Sequence, residues 1–213
     1  SDLGQPSPFY AVLLMDGDQL GKHMGRKEAQ PGISQALNAF TREVPELVRR
    51  FDGFLVYAGG DDVLALLPMA QALPAAAALQ ACYRRCFESK CRDVPSTLSG
   101  AIEYAHIRAP LTQVLQDAHH LLDEVAKDQV GRNAVAVRVW RRAGMALEWS
   151  MPWEKALPAT QTPVQGQPQP DPEVEIDRLA RDFASLDGAE EQVFSSKFFF
   201  RFQEIVERFP DAD

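Results

Sequence analysis

Four carboxylates in two short clusters are the residues of this chain best suited to chemistry. Asp16-Gly17-Asp18 closes the apolar run that begins at Phe9, and Gly59-Gly60-Asp61-Asp62 separates two apolar runs within 54–67. Adjacent carboxylates repel one another, and the segment 54–67 carries no cation to balance them. A divalent ion resolves that repulsion, and Mg2+ or Mn2+ matches an all-oxygen ligand set best. Asp16 and Asp61 are the first expected ligands, with Asp62 close behind. Gly17 offers its main-chain carbonyl, and Asp18 is either a ligand or an Asx-type anchor for the turn that follows. Two ions held this way would lower the pKa of an attacking ribose hydroxyl and stabilise a departing pyrophosphate, which is nucleotidyl transfer. The competing account is an ordinary solvated turn.

Other residues suit a phosphate-bearing ligand. Gly17, Gly21 and Gly25 let backbone N–H groups approach phosphates, with Lys22 and Lys27 adding charge. A flexible basic loop is the alternative. Lys127 and Arg132, at the end of a predicted helix, either face triphosphate oxygens or relieve the helix dipole. Gly59 and Gly60 shape the hairpin tip and count with the nucleotide-binding set. Ser99 and Gly100 open a strand, where Gly100 admits either a base or a neighbouring strand. A local hydrogen bond is the better expectation for His106, and His119 and His120 should face solvent. Tyr57 packs in the sheet or reaches the site. Cys82, Cys86 and Cys91 supply neither a disulfide framework nor a four-ligand zinc set, so core thiols are expected.

These residues need a scaffold. Residues 9–15 read as a strand apolar on both faces. A polar, turn-rich stretch covers 16–31. Ile33, Leu37, Phe40, Val44 and Leu47 mark one helix face, which Pro45 kinks or breaks. The hairpin at 54–67 has its acids at or just past the tip, since glycine enters the left-handed region freely. A helix over 71–90 turns Leu79, Cys82, Tyr83, Cys86 and Phe87 inward. A strand over about 97–107 follows, then a helix opened by Pro110 that buries Leu111, Val114, Leu115, Ala118, Leu121, Leu122 and Val125 and stops at Gly131. Residues 134–140 alternate as a last strand. The order predicts an α+β fold: a ferredoxin-like βαββαβ palm with an added helix and strand, its helices on one face of a largely antiparallel sheet. The first strand beside the hairpin brings Asp16 toward Asp61 and Asp62, in a register where a one-residue slip turns a carboxylate away.

The expected organisation is a flexible lead over 1–8, the palm over 9–148, a Pro-rich linker or loop over 149–172, and a helical segment over 173–213 that begins a following domain. Trp149 to Trp153 are candidates for tying back to the core. The aromatic stripe from Phe194 to Phe209 needs a partner surface. Both termini look cut, so a segment of a larger protein is expected. With 213 residues and 46% apolar content the chain can bury a core, and it has no run long enough for a membrane helix. A cytoplasmic location without membrane association follows as the simplest expectation. A net charge of -8 argues against a free-standing, non-specific nucleic-acid binder.

Taken together, Asp16-Gly-Asp18, Gly59-Gly-Asp-Asp62, Ser99-Gly100 with His106 and Pro110-Leu111, Ala126-Lys127 and Gly131-Arg-Asn133 resemble the second palm domain of Cas10. Cas10 is the large subunit of type III CRISPR effector complexes, and the details are most similar to its Cmr2 branch. The resemblance covers roughly residues 9–148. It implies a fold related to nucleotide cyclase and polymerase palms, with divalent metals held by Asp16, Asp61 and Asp62. It implies ATP as substrate, joined into cyclic oligoadenylate through 3′–5′ linkages once target RNA is bound. The implied partners are the other Cas10 palm and the effector subunits with guide and target RNA. Self-pairing of the isolated palm is a further alternative, and this segment alone is expected to depend on its partners for activity. The same motifs resemble diguanylate cyclases of the GGDEF type, which make cyclic di-GMP. Here, however, three residues rather than two separate Lys127 from Gly131, Val63 replaces the Phe expected after the acids, and the Asn-Asp pair that recognises guanine is missing. A catalytically silent scaffold palm is the remaining alternative.

Overall fold

β1 (Phe9–Asp18) is the strand around which the fold is built. Successive residues of a strand point to opposite faces, and Ala11, Val12, Leu13, Leu14 and Met15 are all buried. Both faces of β1 must therefore be covered. The computed structural model describes residues 7–140 and 147–156, all within the first of two compact units, residues 1–175. β1 is followed by a short helix α1 (Leu20–Met24), α2 (Gln30–Arg50), the hairpin β2 (Phe54–Gly59) and β3 (Asp62–Leu67), and α3 (Ala72–Lys90) after a 3-10 turn. Then come β4 (Thr97–His106), α4 (Leu111–His120), a π-helical stretch Leu121–Gln129, β5 (Ala134–Val139), β6 (Leu147–Pro152) and a last turn α5 (Trp153–Ala156).

The six strands form one sheet in the order β2-β3-β1-β4-β5-β6. β1 is antiparallel to β3 and β4, β4 is parallel to β5, and β6 is antiparallel to β5. In this mixed α+β fold the helices occupy both faces, which corrects the expectation of a single helical face. Val12 and Leu14 pack with Ala101 and Ala105 against Val114, Ala118, Leu121 and Leu122 of α4 and the π-helical stretch. The opposite face carries α2 and α3. There Gly53 leaves no room for a side chain between Val48 of α2 and Leu67 of β3, and the open side of Gly17 meets the Tyr83 hydroxyl of α3. The physical reason is that β1 and β4 are buried on both faces, and a one-sided cover would leave half of those side chains in water.

Several elements differ in detail from expectation. α2 runs unbroken through Pro45, and its buried stripe is Ile33, Ala36, Phe40, Val44 and Val48, rotated toward Ala36 and Val48 and away from Leu37 and Leu47. Pro31 falls in its first turn, where a missing N–H is harmless. Leu111 is exposed and Leu115 half-buried, so the inward face of α4 is narrower than predicted. Residues 149–152, assigned above to a linker, are part of β6. Trp153 beyond it is 1% exposed and donates its indole N–H to the Leu98 carbonyl at 2.8 Å. The Pro-rich stretch beyond 156, the segment 173–213 expected to be helical and the lead over 1–6 lie outside the described residues. No helix among the described residues is long and apolar enough to cross a membrane.

Candidate functional site

The β1–β3 register decides where the acids meet. Leu14 faces Leu64 and Met15 faces Val63, so the next step along both strands sets Asp16 beside Asp62. Asp61 occupies the hairpin tip. Gly60 takes a φ of +66° there, a conformation open to glycine, and its carbonyl accepts a hydrogen bond of 3.2 Å from the Thr41 hydroxyl of α2. Asp16, Asp61 and Asp62 each present a carboxylate oxygen within 4.8 Å of the other two. Gly17 is required by this closeness, because a Cβ there would lie 2.5 Å from Asp61 Oδ2 and 2.9 Å from the Tyr83 hydroxyl.

Among the described residues, one cation faces the trio. Lys127 donates its ammonium to Asp16 Oδ2 and, at 3.4 Å, to Asp123 Oδ1. Burial works against the charge on Lys127, yet the hydrogen bond and charge of Asp16, with Asp123, outweigh it and hold the ammonium above its ordinary pKa. Partial burial pushes the Asp61 carboxyl up, with Asp16 adding to the rise against a backbone hydrogen bond and Lys127. Asp62 is raised to about 6 by desolvation, then by its hydrogen bond with Asp16 and the charges of Asp16 and Asp61. A single ammonium thus leaves the three carboxylates under-compensated. The donors are all oxygens, so the residues fit a hard divalent cation such as Mg2+ or Mn2+.

Asp18 stands apart from the trio. It is 3% exposed, and its oxygens accept hydrogen bonds from Thr97 Oγ1 at 2.6 Å, Ser99 Oγ at 2.9 and 3.0 Å, and the Asn133 main-chain N–H at 2.9 Å. Ser99 is consumed in that contact and fully buried. Gly100 is buried too, its open side filled by Met15 and Trp153 rather than by ligand-accessible space. Lys22 is exposed on α1, where its ammonium meets Gln19 Oε1 at 3.1 Å, and Lys27 is exposed in the following turn. Arg132 sits at the turn after the π-helical stretch, half-exposed, with Nη1 on the Lys127 carbonyl at 3.4 Å and Nη2 at 3.6 Å from Asp128. The Tyr57 ring lies over Gly59, close enough to exclude a Cβ there. His106 accepts from the Arg108 N–H at 3.1 Å and packs edge-on to Phe9, the local contact expected. His119 and His120 are exposed, as expected, and His120 meets Glu124 at 2.9 Å.

Four contributors escaped the sequence. Thr41 holds the hairpin tip, Tyr83 walls Gly17, and the Asn133 main chain anchors Asp18; Tyr83 was expected to face inward and Asn133 to belong to the Gly-Arg-Asn motif, but nothing local marks these contacts. Asp123 was legible in principle, four residues before Lys127 on one helix face.

Comparison with known proteins follows the same residues. The family model described as Cas10/Cmr2, second palm domain, matches residues 9–136. The CRISPR system Cmr subunit Cmr2 of Pyrococcus furiosus is 31% identical over a match covering 72% of this chain and 21% of the relative. The chain therefore spans about a fifth of that relative's length. Among solved structures, a Csm1-Csm4 cassette in complex with cA4 superposes with a TM-score of 0.57 at 17% identity, covering 96% of this chain and 29% of that one. Csm1 of T. onnurineus gives 0.55 at 18% identity, covering 97% and 30%. At such identities these two structures speak to the fold alone.

Proposed function

Because the chain belongs to the family of Cas10/Cmr2 second palm domains, we propose that it is the metal-dependent nucleotidyltransferase palm of a type III CRISPR effector, making cyclic oligoadenylate from ATP. The observation that carries this proposal is the meeting of Asp16, Asp61 and Asp62 at one corner of the sheet. We read β1 to β4 with α2 and α3 as a ferredoxin-like core, with α4, the π-helical stretch and β5 added to it.

In this proposal Asp16, Asp61 and Asp62 hold the divalent cation. When bound, it acidifies the ribose 3′-hydroxyl of one ATP and neutralises charge on the triphosphate of the other. The 3′ oxygen bonds to the α-phosphorus, the α–β bridging oxygen leaves with pyrophosphate, and the hydroxyl proton passes to solvent. Lys127, now on Asp16, is within reach of the same corner and contributes positive charge as phosphates arrive. Arg132, held on the Lys127 carbonyl, adds charge for the triphosphate in this reading. Asp18 acts through position only, tying the end of β1 to β4 and to the turn before β5. The opposing Cas10 palm supplies the rest of the nucleotide cleft, and effector subunits with guide and target RNA control its use.

The test is the assembled complex incubated with each nucleotide separately, with and without target RNA, and the products weighed. Pyrophosphate release and oligoadenylate from ATP, lost in the Asp61→Ala, Asp62→Ala double variant with the complex intact, are expected. Undiminished product from a homogeneous preparation of that variant overturns the assignment. A guanosine dimer would favour cyclic di-GMP synthesis, and an unchanged nucleotide pool would favour a scaffold.

A further inference from the structure

Two of the three cysteines face a carboxylate on the neighbouring helix. Cys82 and Cys86 stand four residues apart on α3 and are 1% and 4% exposed. The Cys82 thiol donates to Glu43 Oε2 at 3.4 Å, and Cys86 Sγ lies 4.0 Å from Glu43 Oε1. One ligand atom from each of Glu43, Cys82 and Cys86 lies within 4.8 Å of the other two. Glu43 is on α2, 39 residues before Cys82, so this juxtaposition is invisible in the cysteine spacing. Cys91 points elsewhere, toward Gly32.

We propose that Glu43, Cys82 and Cys86 form a site for a thiophilic divalent cation, Zn2+ above all, that clips α2 to α3. A tetrahedral zinc ion sits about 2.3 Å from thiolate sulfur and about 2.0–2.2 Å from carboxylate oxygen. Its ligands then lie about 3.5–3.8 Å apart by geometry, a spacing that the observed sulfur–oxygen distances of 3.4 and 4.0 Å bracket. The donor set of two sulfurs and one oxygen separates this site from the all-oxygen trio, which suits a harder ion. Access is present as well. An open groove of about 530 Å³ runs past Asn38, Arg42, Glu43 and Lys90, and the Glu43 side chain is 47% exposed. The groove meets the site at Glu43, while the two thiols are buried.

The charges balance. Binding converts two thiols to thiolates and releases two protons. Zn2+ with two thiolates and one carboxylate carries one net negative charge. Arg85, 2.6 Å from Glu43 Oε2, offsets it. Because binding releases these protons, uptake is expected to strengthen as pH rises.

Co2+ added to the reduced 213-residue chain tests this directly. The expected result is a near-ultraviolet thiolate-to-cobalt band with tetrahedral visible bands that saturates at one equivalent, whatever further Co2+ the acid trio takes, both removed by Zn2+. Zn2+ should protect two of the three thiols from alkylation, leaving Cys91 with its metal-free reactivity. Cys82→Ser and Cys86→Ser should each abolish the thiolate band, and Glu43→Gln should weaken binding by roughly tenfold or more. The Asp61→Ala, Asp62→Ala variant should keep the band. No thiolate band in the unmodified chain overturns the proposal without recourse to any variant, as does protection centred on Cys91. An unweakened Glu43→Gln removes the carboxylate from the site and with it the α2–α3 clip.

Discussion

Asp18 accepts hydrogen bonds from Thr97, Ser99 and the Asn133 main chain, while Asp16, two residues earlier on the same face of β1, keeps an oxygen beside Asp61 and Asp62. Alternation along the strand puts both carboxylates on one face, so nothing in Asp-Gly-Asp separates an anchor from a ligand. The distinction comes from residues more than 79 positions away in part, since the Ser99 and Asn133 contacts span 81 and 115 residues. Replacing Asp18 with Asn keeps the shape but turns an amide N–H toward a cluster of donors. A loss of about 1–3 kcal/mol is expected in urea unfolding, the usual penalty for an unmatched buried polar group. The Mg2+ response of the trio should survive wherever the variant is folded. An Asp18→Asn chain as stable as the parent would show that the three partners hold the turn without the carboxylate.

Elements were legible where pattern and punctuation agree. The two glycines between β2 and β3 and the apolar run of β1 fixed the hairpin and the central strand. β6 was less so, because its pairing with β5 is a long-range fact and its sequence alternates weakly. The extra residue between Lys127 and Gly131 also has a structural counterpart. A π-helix closes i to i+5 bonds, and the Val130 N–H meets the Val125 carbonyl at 3.0 Å. The wider turn absorbs one more residue and still delivers Lys127 to Asp16. Gly131, Arg132 and Asn133 then take φ of +100°, +74° and +48°, a reversal unusual for the two non-glycine residues. On β4 a different constraint operates. Glu103 is fully buried, and neither oxygen has a hydrogen-bond partner among the described residues. Asp117, Arg138 and Glu148 surround it, and Arg138 is held by Asp117 at 3.1 Å and Glu148 at 2.6 Å. Desolvation, with Asp117 and Glu148, raises Glu103 from 4.5 to about 8 against the pull of Arg138. The folded chain therefore keeps this proton while the unfolded chain loses it near 4.5. Stability from this group is complete below that pH and declines as pH rises through about 8. Glu103→Gln cannot titrate, so its stability relative to the parent should rise across that window, by on the order of a few kcal/mol in all. Parallel urea curves at pH 4.5, 6 and 8.5 check this, and a constant difference between the two chains would show that Glu103 is ionised in the fold.

The acid trio joins the first strand of the sheet to the hairpin, so cation binding and folding are linked. Any ion that binds only the folded chain adds RT ln(1 + [L]/Kd), about 2.7 kcal/mol at a hundredfold excess over the dissociation constant. The metal-free chain carries the opposite burden, with three carboxylates facing one ammonium. Asp62, raised from 3.8 to about 6 in the fold, contributes stability that is complete below pH 3.8 and is lost as pH rises through about 6. Asp62→Asn removes a repelling charge while keeping the size of the side chain. Without metal, its melting temperature at pH 7 should exceed that of the parent. With Mg2+ or Mn2+ the order should reverse, because the parent gains a ligand-dependent increment that the variant lacks. Thermal melts of both chains across a metal titration, with Ca2+ and an ionic-strength control, read the crossing directly. Screening by salt alone shifts both chains together, so parallel curves would mean that the three carboxylates meet without forming a cation site.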